Sequence, residues 1–143
     1  MTGAAGQHPA VDADLARMRD CLKKLRARGG RKQLGRECGL FASLYELSTA
    51  IGEAAAAERC GPATDTACSL CFVLDRMVRP DSETLAAIEG HIELLEEMFG
   101  AGRWHEALSR PGQLAGQLAA LRAAAGVAGI AEPSHGMGGQ PVG

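Results

Sequence analysis

Three groups of residues in this 143-residue chain are of types that do chemistry. The first is a set of five cysteines: Cys21, Cys38, Cys60, Cys68 and Cys71. Cys68-Ser69-Leu70-Cys71 is a C-x-x-C near the start of a predicted helix, where the positive end of the helix dipole favours a thiolate. With Cys60 upstream, and Cys38 on the preceding helix, three sulfurs or four are the raw material of a metal site, with Cys60, Cys68 and Cys71 as the weak candidates. The spacing lacks a second close pair, and the strand-rich setting of a thioredoxin-type motif is absent from the pattern. No metal or other cofactor is therefore expected. The plainer reading is that Cys71 packs as a small apolar residue.

The second is His91, directly after Gly90 and before Ile92. An exposed histidine in the middle of a bundle helix is suited to phosphotransfer, because a neutral imidazole nitrogen is nucleophilic. Glu93 beside it repels phosphate. A polar histidine at the edge of the apolar seam is the favoured reading, with phosphotransfer as an alternative. Gly90 leaves space there for a docking partner. His105 follows Trp104 on an expected loop, and His8 and His135 fall in the end segments.

The third is a segregation of charge. Residues 17–36 hold nine Lys and Arg against Asp20 alone, whereas residues 81–99 hold six Asp and Glu and no base. Focused like charge speeds encounter with an oppositely charged partner. Arg17, Lys23, Lys24, Arg26, Arg28, Arg31 and Lys32 are the candidate partner-binding residues. A nucleic acid is a less favoured partner, because the basic run has no interleaved aromatics for stacking and no recognisable motif. The competing reading is that the two blocks neutralise each other across a helix–helix seam. Phosphate-binding loops, dinucleotide fingerprints, zinc-protease and serine-hydrolase motifs are all missing. Glu93, Glu96 and Glu97 do not form the E-x-x-H pairs of a di-iron bundle. An enzyme is not expected.

The elements that position these groups are helices. Leu (16) and Ala (26) outnumber Val and Ile (9 together), and Leu and Ala are strong helix formers. Val11, Leu15, Met18, Leu22 and Leu25 recur at helical spacing, which predicts a helix over 11–28 stopped by Gly29-Gly30. A second helix is expected over 31–58. Gly35 and Gly39 disfavour its first turns and Pro62 closes it off. A third is expected over 64–78, capped by Thr64 or Asp65, and a fourth over 82–99, capped by Asp81 or Ser82. Leu114, Leu118 and Leu121 predict a weaker fifth over 112–125.

The expected fold is all-α: an up-down antiparallel bundle of four helices over 11–99, with a loop and accessory helix over 100–125. Residues 1–10 are expected to be a disordered leader and 126–143 a disordered tail. Net charge is −2 and no run of apolar residues is long enough to span a membrane. With no export signal and an odd number of cysteines, the expected location is the cytoplasm. The composite expectation is a small non-catalytic helical regulatory or adaptor protein that docks a protein partner. A homodimer through leftover apolar surface is consistent with the small size of the bundle.

Overall fold

A computed structural model describes residues 9–27, 34–77, 81–100 and 111–127. These residues form five helices: α1 (Pro9–Ala27), α2 (Leu34–Ala57), α3 (Gly61–Arg76), α4 (Ser82–Gly100) and α5 (Pro111–Ala124). No strand occurs among them. The first four helices pack in sequence, and α4 returns to α1 to close the ring; α5 lies against α3 and α4. α1 and α4 run antiparallel. Arg19 and Arg26 of α1 meet Glu96 and Glu89 of α4 in reversed order. Ser48 and Thr49 of α2 meet Ala67 and Cys71 of α3. The all-α up-down bundle is the one that the periodicity predicts.

The core is the set of predicted stripes. Val11, Leu15, Met18, Leu22 and Leu25 are buried on α1, and Leu85, Ile88, Ile92, Leu95 and Phe99 on α4. Asp81 starts α4 as expected: its Oδ1 accepts from the Thr84 amide at 2.8 Å, satisfying one of the donors that a helix start leaves open.

Helix boundaries differ at four places. α1 begins at Pro9, inside the expected leader. α2 begins at Leu34 and carries Gly35 and Gly39 within it, so packing of the long helix outweighs their propensity cost. α3 begins at Gly61 rather than at Thr64. Pro62 opens that helix instead of closing the one before, because the first turn needs no amide hydrogen. Cys60 is its N-cap and makes no side-chain capping bond.

The fourth difference is at the end of α5. Val127 is buried (1% exposed), although residues from 126 onward were expected to form a tail. Gly126 takes φ +82°, and the Val127 amide donates back to the Arg122 carbonyl at 3.0 Å. This is a Schellman-type closure, and Val127 is its accompanying apolar contact. The Trp104–Leu108 turn expected from sequence, and the rest of the tail, lie outside the described residues.

α2 and α3 approach closely because their shared seam is small. Ser48, Ala55, Ala63 and Ala67 are buried there, and a Cβ on Gly52 would stand 3.3 Å from the Ala67 Cβ. α2 then ends with Arg59 at φ 58°, closed by the Cys60 amide on the Ala55 carbonyl at 2.9 Å. The left-handed conformation disfavours a residue with a Cβ. Arg59→Gly is therefore expected to raise unfolding stability by about 0.5–1 kcal/mol. Ala67→Leu is expected to lower it by about 1–3 kcal/mol through overpacking of the seam. Urea denaturation of both variants checks the pair.

Candidate functional site

The two charge blocks meet. Arg19 grips Glu96 through Nε at 2.9 Å and Nη2 at 2.8 Å, and reaches Glu89 through Nη1 at 2.8 Å. Arg26 binds the other oxygen of Glu89 at 2.8 Å. The pattern follows from sequence spacing. Each pair of like-charged residues is seven positions apart, two helical turns, so both members face the same neighbour. Hydrogen bonds from Arg26 and then Arg19 hold the Glu89 carboxyl below its ordinary range. The bidentate Glu96 contact pushes the Arg19 guanidinium further toward its charged form.

This arrangement redistributes the candidate partner-binding residues. Arg26 is engaged by Glu89. Lys24 pairs with Asp20 at 3.1 Å, both exposed, and the exposed Arg17 sits 3.7 Å from the half-buried Asp14; such solvent-facing pairs contribute little. Lys23 is exposed. Arg28, Arg31 and Lys32 lie outside the described residues. The outward face of α1 thus mixes Asp12, Asp14 and Asp20 with its bases and is less positive than the sequence run suggests.

A polar cluster that sequence reasoning did not assemble lies between α3, α4 and α5. His91 is fully buried (0% exposed). Its Nδ1 is 2.8 Å from the Ala87 carbonyl, one turn earlier on α4. A carbonyl can only accept, so Nδ1 carries the hydrogen and Nε2 is left with its lone pair. Nε2 is 2.8 Å from the Ser69 Oγ, whose hydroxyl therefore donates to it. Arg122 of α5 donates from Nη1 to the same Oγ at 3.0 Å. Removal from water lowers the His91 pKa to about 4. The Ala87 hydrogen bond opposes this and the Arg122 charge adds to it.

A serine hydroxyl on the lone pair of a histidine is the geometry of an activated nucleophile. Here both groups are sealed in the core, with Ser69 only 5% exposed. Substrate has no described approach to them, and the cluster ties three helices together. Phosphotransfer needs an exposed ring, and the His91 ring is covered on every side. The space that Gly90 leaves is taken from within the chain: a Cβ there would fall 2.5 Å from Leu121 Cδ2.

A groove of about 390 Å³ runs on the outer side of this contact, between α4 and α5. Leu94, Ala120, Leu121 and Gly90 line it, with Glu93 and Glu97 on the α4 rim and Gln117 on the α5 side. Both glutamates are exposed and neither makes an ion pair among the described residues.

Cys60, Cys68 and Cys71 do not form a metal-binding group, and the Cys38 side chain lies outside what the structure describes. Cys60 is buried at the start of α3, Cys68 is exposed, and Cys71 is half-buried with its Sγ 3.7 Å from Thr49 Oγ1. No group of three or more His, Cys, Asp or Glu that could hold a metal occurs among the described residues. The Cys68 thiol is raised by burial, then by Cys71 and Asp65, the reverse of what a reactive thiolate requires. Near them, Arg76 lies 4.7 Å over the Phe72 ring, and Tyr45 is the one exposed large apolar side chain among the described residues. No described helix is long and apolar enough to cross a membrane.

Compared with known protein families, curated proteins and solved structures, the chain matches none.

The buried imidazole predicts a pH dependence of definite sign. Its folded pKa is about 4 against an ordinary 6.5. Below pH 6.5 the unfolded chain takes up a proton that the folded chain refuses. Stability is therefore full above that value and declines as the pH falls toward 4. Between pH 7 and pH 5 the loss is about 2 kcal/mol. The Glu89 carboxyl loses its own contribution only at lower pH, since its pKa is depressed from 4.5. Urea unfolding at pH 7, 6 and 5 is expected to show this slope in the wild-type chain. His91→Gln is expected to be less stable at pH 7 and to lack most of the slope.

Proposed function

We propose that this chain is a non-catalytic helical docking protein whose α4–α5 groove takes up a cationic amphipathic helix from a partner protein. The observation that carries the reading is the charge left over on α4. Glu89 and Glu96 are neutralised by α1, whereas Glu93 and Glu97 face solvent at the rim of a groove of mixed polarity whose apolar part is Leu94, Ala120 and Leu121. Glu93 and Glu97 stand one helical turn apart. A partner helix with two bases at the same spacing places one opposite each. Its apolar residues on the neighbouring row, at i+3 and i+7, then enter against Leu94, Ala120 and Leu121. The groove volume suits a few such side chains rather than a whole helix face. Modest affinity, with charge setting orientation and encounter rate, is the behaviour such a site supports.

The reading keeps docking as the activity and moves its surface from α1 to α4 and α5. Nucleic acid is less well supported as a ligand, because Arg19 and Arg26 are already held by carboxylates. The sealed Ser69–His91 pair supports a binding role over a catalytic one.

Fluorescence anisotropy with a labelled Leu/Lys amphipathic peptide and the full chain tests the proposal. Saturable binding at low salt is expected, weakened by added salt. Glu93→Lys with Glu97→Lys is expected to weaken it about tenfold or more, a loss of roughly 1.4 kcal/mol. Lys23→Glu is expected to leave it unchanged. Binding that survives the double reversal, or no saturable binding, overturns the reading. A rise in mass with protein concentration, and no peptide binding, assigns the groove to a second copy of the chain instead.

A further inference from the structure

We propose that the Ser69–His91–Arg122 cluster is an acid-sensitive latch: protonation of His91 releases α5 from α3 and α4 and takes away one wall of the groove. In its consequence for partner binding this rests on the groove reading above; the latch itself does not.

The geometry makes the cluster sensitive to one proton. At neutral pH it is a directed chain: Arg122 donates to Ser69, Ser69 donates to His91, and His91 donates to Ala87. The Ser69 hydroxyl hydrogen has this partner only because Nε2 is an acceptor. A proton on Nε2 turns that atom into a donor aimed at the Ser69 oxygen, which already receives Arg122. The serine hydroxyl hydrogen loses its acceptor, and two positive groups then bracket one buried oxygen. In a site removed from water that repulsion is weakly screened.

Arg122 is the charged group that faces the ring from α5, and it is held on Ser69. From α3 the facing group is Ser69, which does not titrate, while Cys68 beside it is exposed. On α4 itself Glu93 points to solvent, and Glu89 is held by Arg19 and Arg26 of α1. No carboxylate among these is placed to neutralise an imidazolium.

α5 is the element that gives way. It is 14 residues long, too short to hold helical form in water without its seat. Its apolar anchors are Leu114, Leu118 and Val127, with Leu121 half-buried over Gly90. Much of its outer face is Ala, Gly and Gln. α1 to α4 close their own ring without it. Release of α5 exposes the imidazole to water, which is where the proton is favoured, so opening and protonation reinforce each other.

Hydrogen exchange of the full chain at pH 7 and pH 5, corrected for the intrinsic pH dependence of amide exchange, tests the latch without any peptide. Residues 111–127 are expected to exchange through an opening of lower free energy than that of α2 and α3 at both pH values, and that opening equilibrium is expected to rise roughly twentyfold at pH 5. His91→Gln is expected to abolish the pH difference even if α5 exchanges faster at both values. Should that variant not fold, Ser69→Ala serves. It removes the hydroxyl bridge to Arg122 and is expected to raise α5 exchange at pH 7. Residues 111–127 opening only together with α2 and α3, with the same free energy at both pH values, or an α5 opening unchanged at pH 5, overturns the proposal. Absence of peptide binding at pH 7 would count against the groove and leave the latch untouched.

Discussion

The seat of α5 depends on a neutral imidazole. His91 sits where three helices meet, and both of its nitrogens are committed: one donates to its own helix and the other accepts from α3. That single tautomer orients the Ser69 hydroxyl, which in turn receives Arg122 from α5. Burying a polar ring without partners costs several times what a hydrogen bond contributes, so the three helices have few ways to pack that satisfy it. The groove outside exists because α5 rests at this distance from α4, set by Leu121 over the bare backbone of Gly90.

A second constraint works on the opposite side of α4. The Arg19 and Arg26 contacts to Glu89 and Glu96 fix the register of α1 against α4. They lie partly in water, so they contribute more to register than to stability. By drawing in one set of opposite charges they leave α1 with a mixed face and α4 with an uncompensated acidic edge at Glu93 and Glu97. The same helix therefore has a neutralised flank facing α1 and a charged flank facing α5.

The helices were legible because apolar spacing is a local property. The stripes of α1 and α4 could be read residue by residue, and Asp81 could be read as a cap from its type and place. The charge blocks were visible too. Whether they met each other or a partner was not, because it depends on which helices become neighbours. The Ser69–His91–Arg122 cluster was not legible at all. Its members are 22 and 31 positions apart in sequence, with no shared period, and only tertiary packing brings them together. Gly90 was the one available hint: a glycine in mid-helix marks a close approach, and the approaching group is Leu121 of the same chain. The start of α3 was misplaced because Pro62 stops a preceding helix and starts a following one equally well. Val127 was missed because a Gly-rich run conceals the helix-closing turn at Gly126.

The claim on which the rest stands is that His91 is neutral, protonated on Nδ1 and shielded from titration in the folded chain. Nitrogen-15 NMR of the histidine rings across pH 7 to 5 measures this directly. The account requires a His91 ring with its hydrogen on Nδ1 and a bare Nε2, holding that form in the folded signal throughout the range. A His91 ring that titrates near 6.5 like a solvated imidazole, or carries its hydrogen on Nε2 at neutral pH, would contradict it.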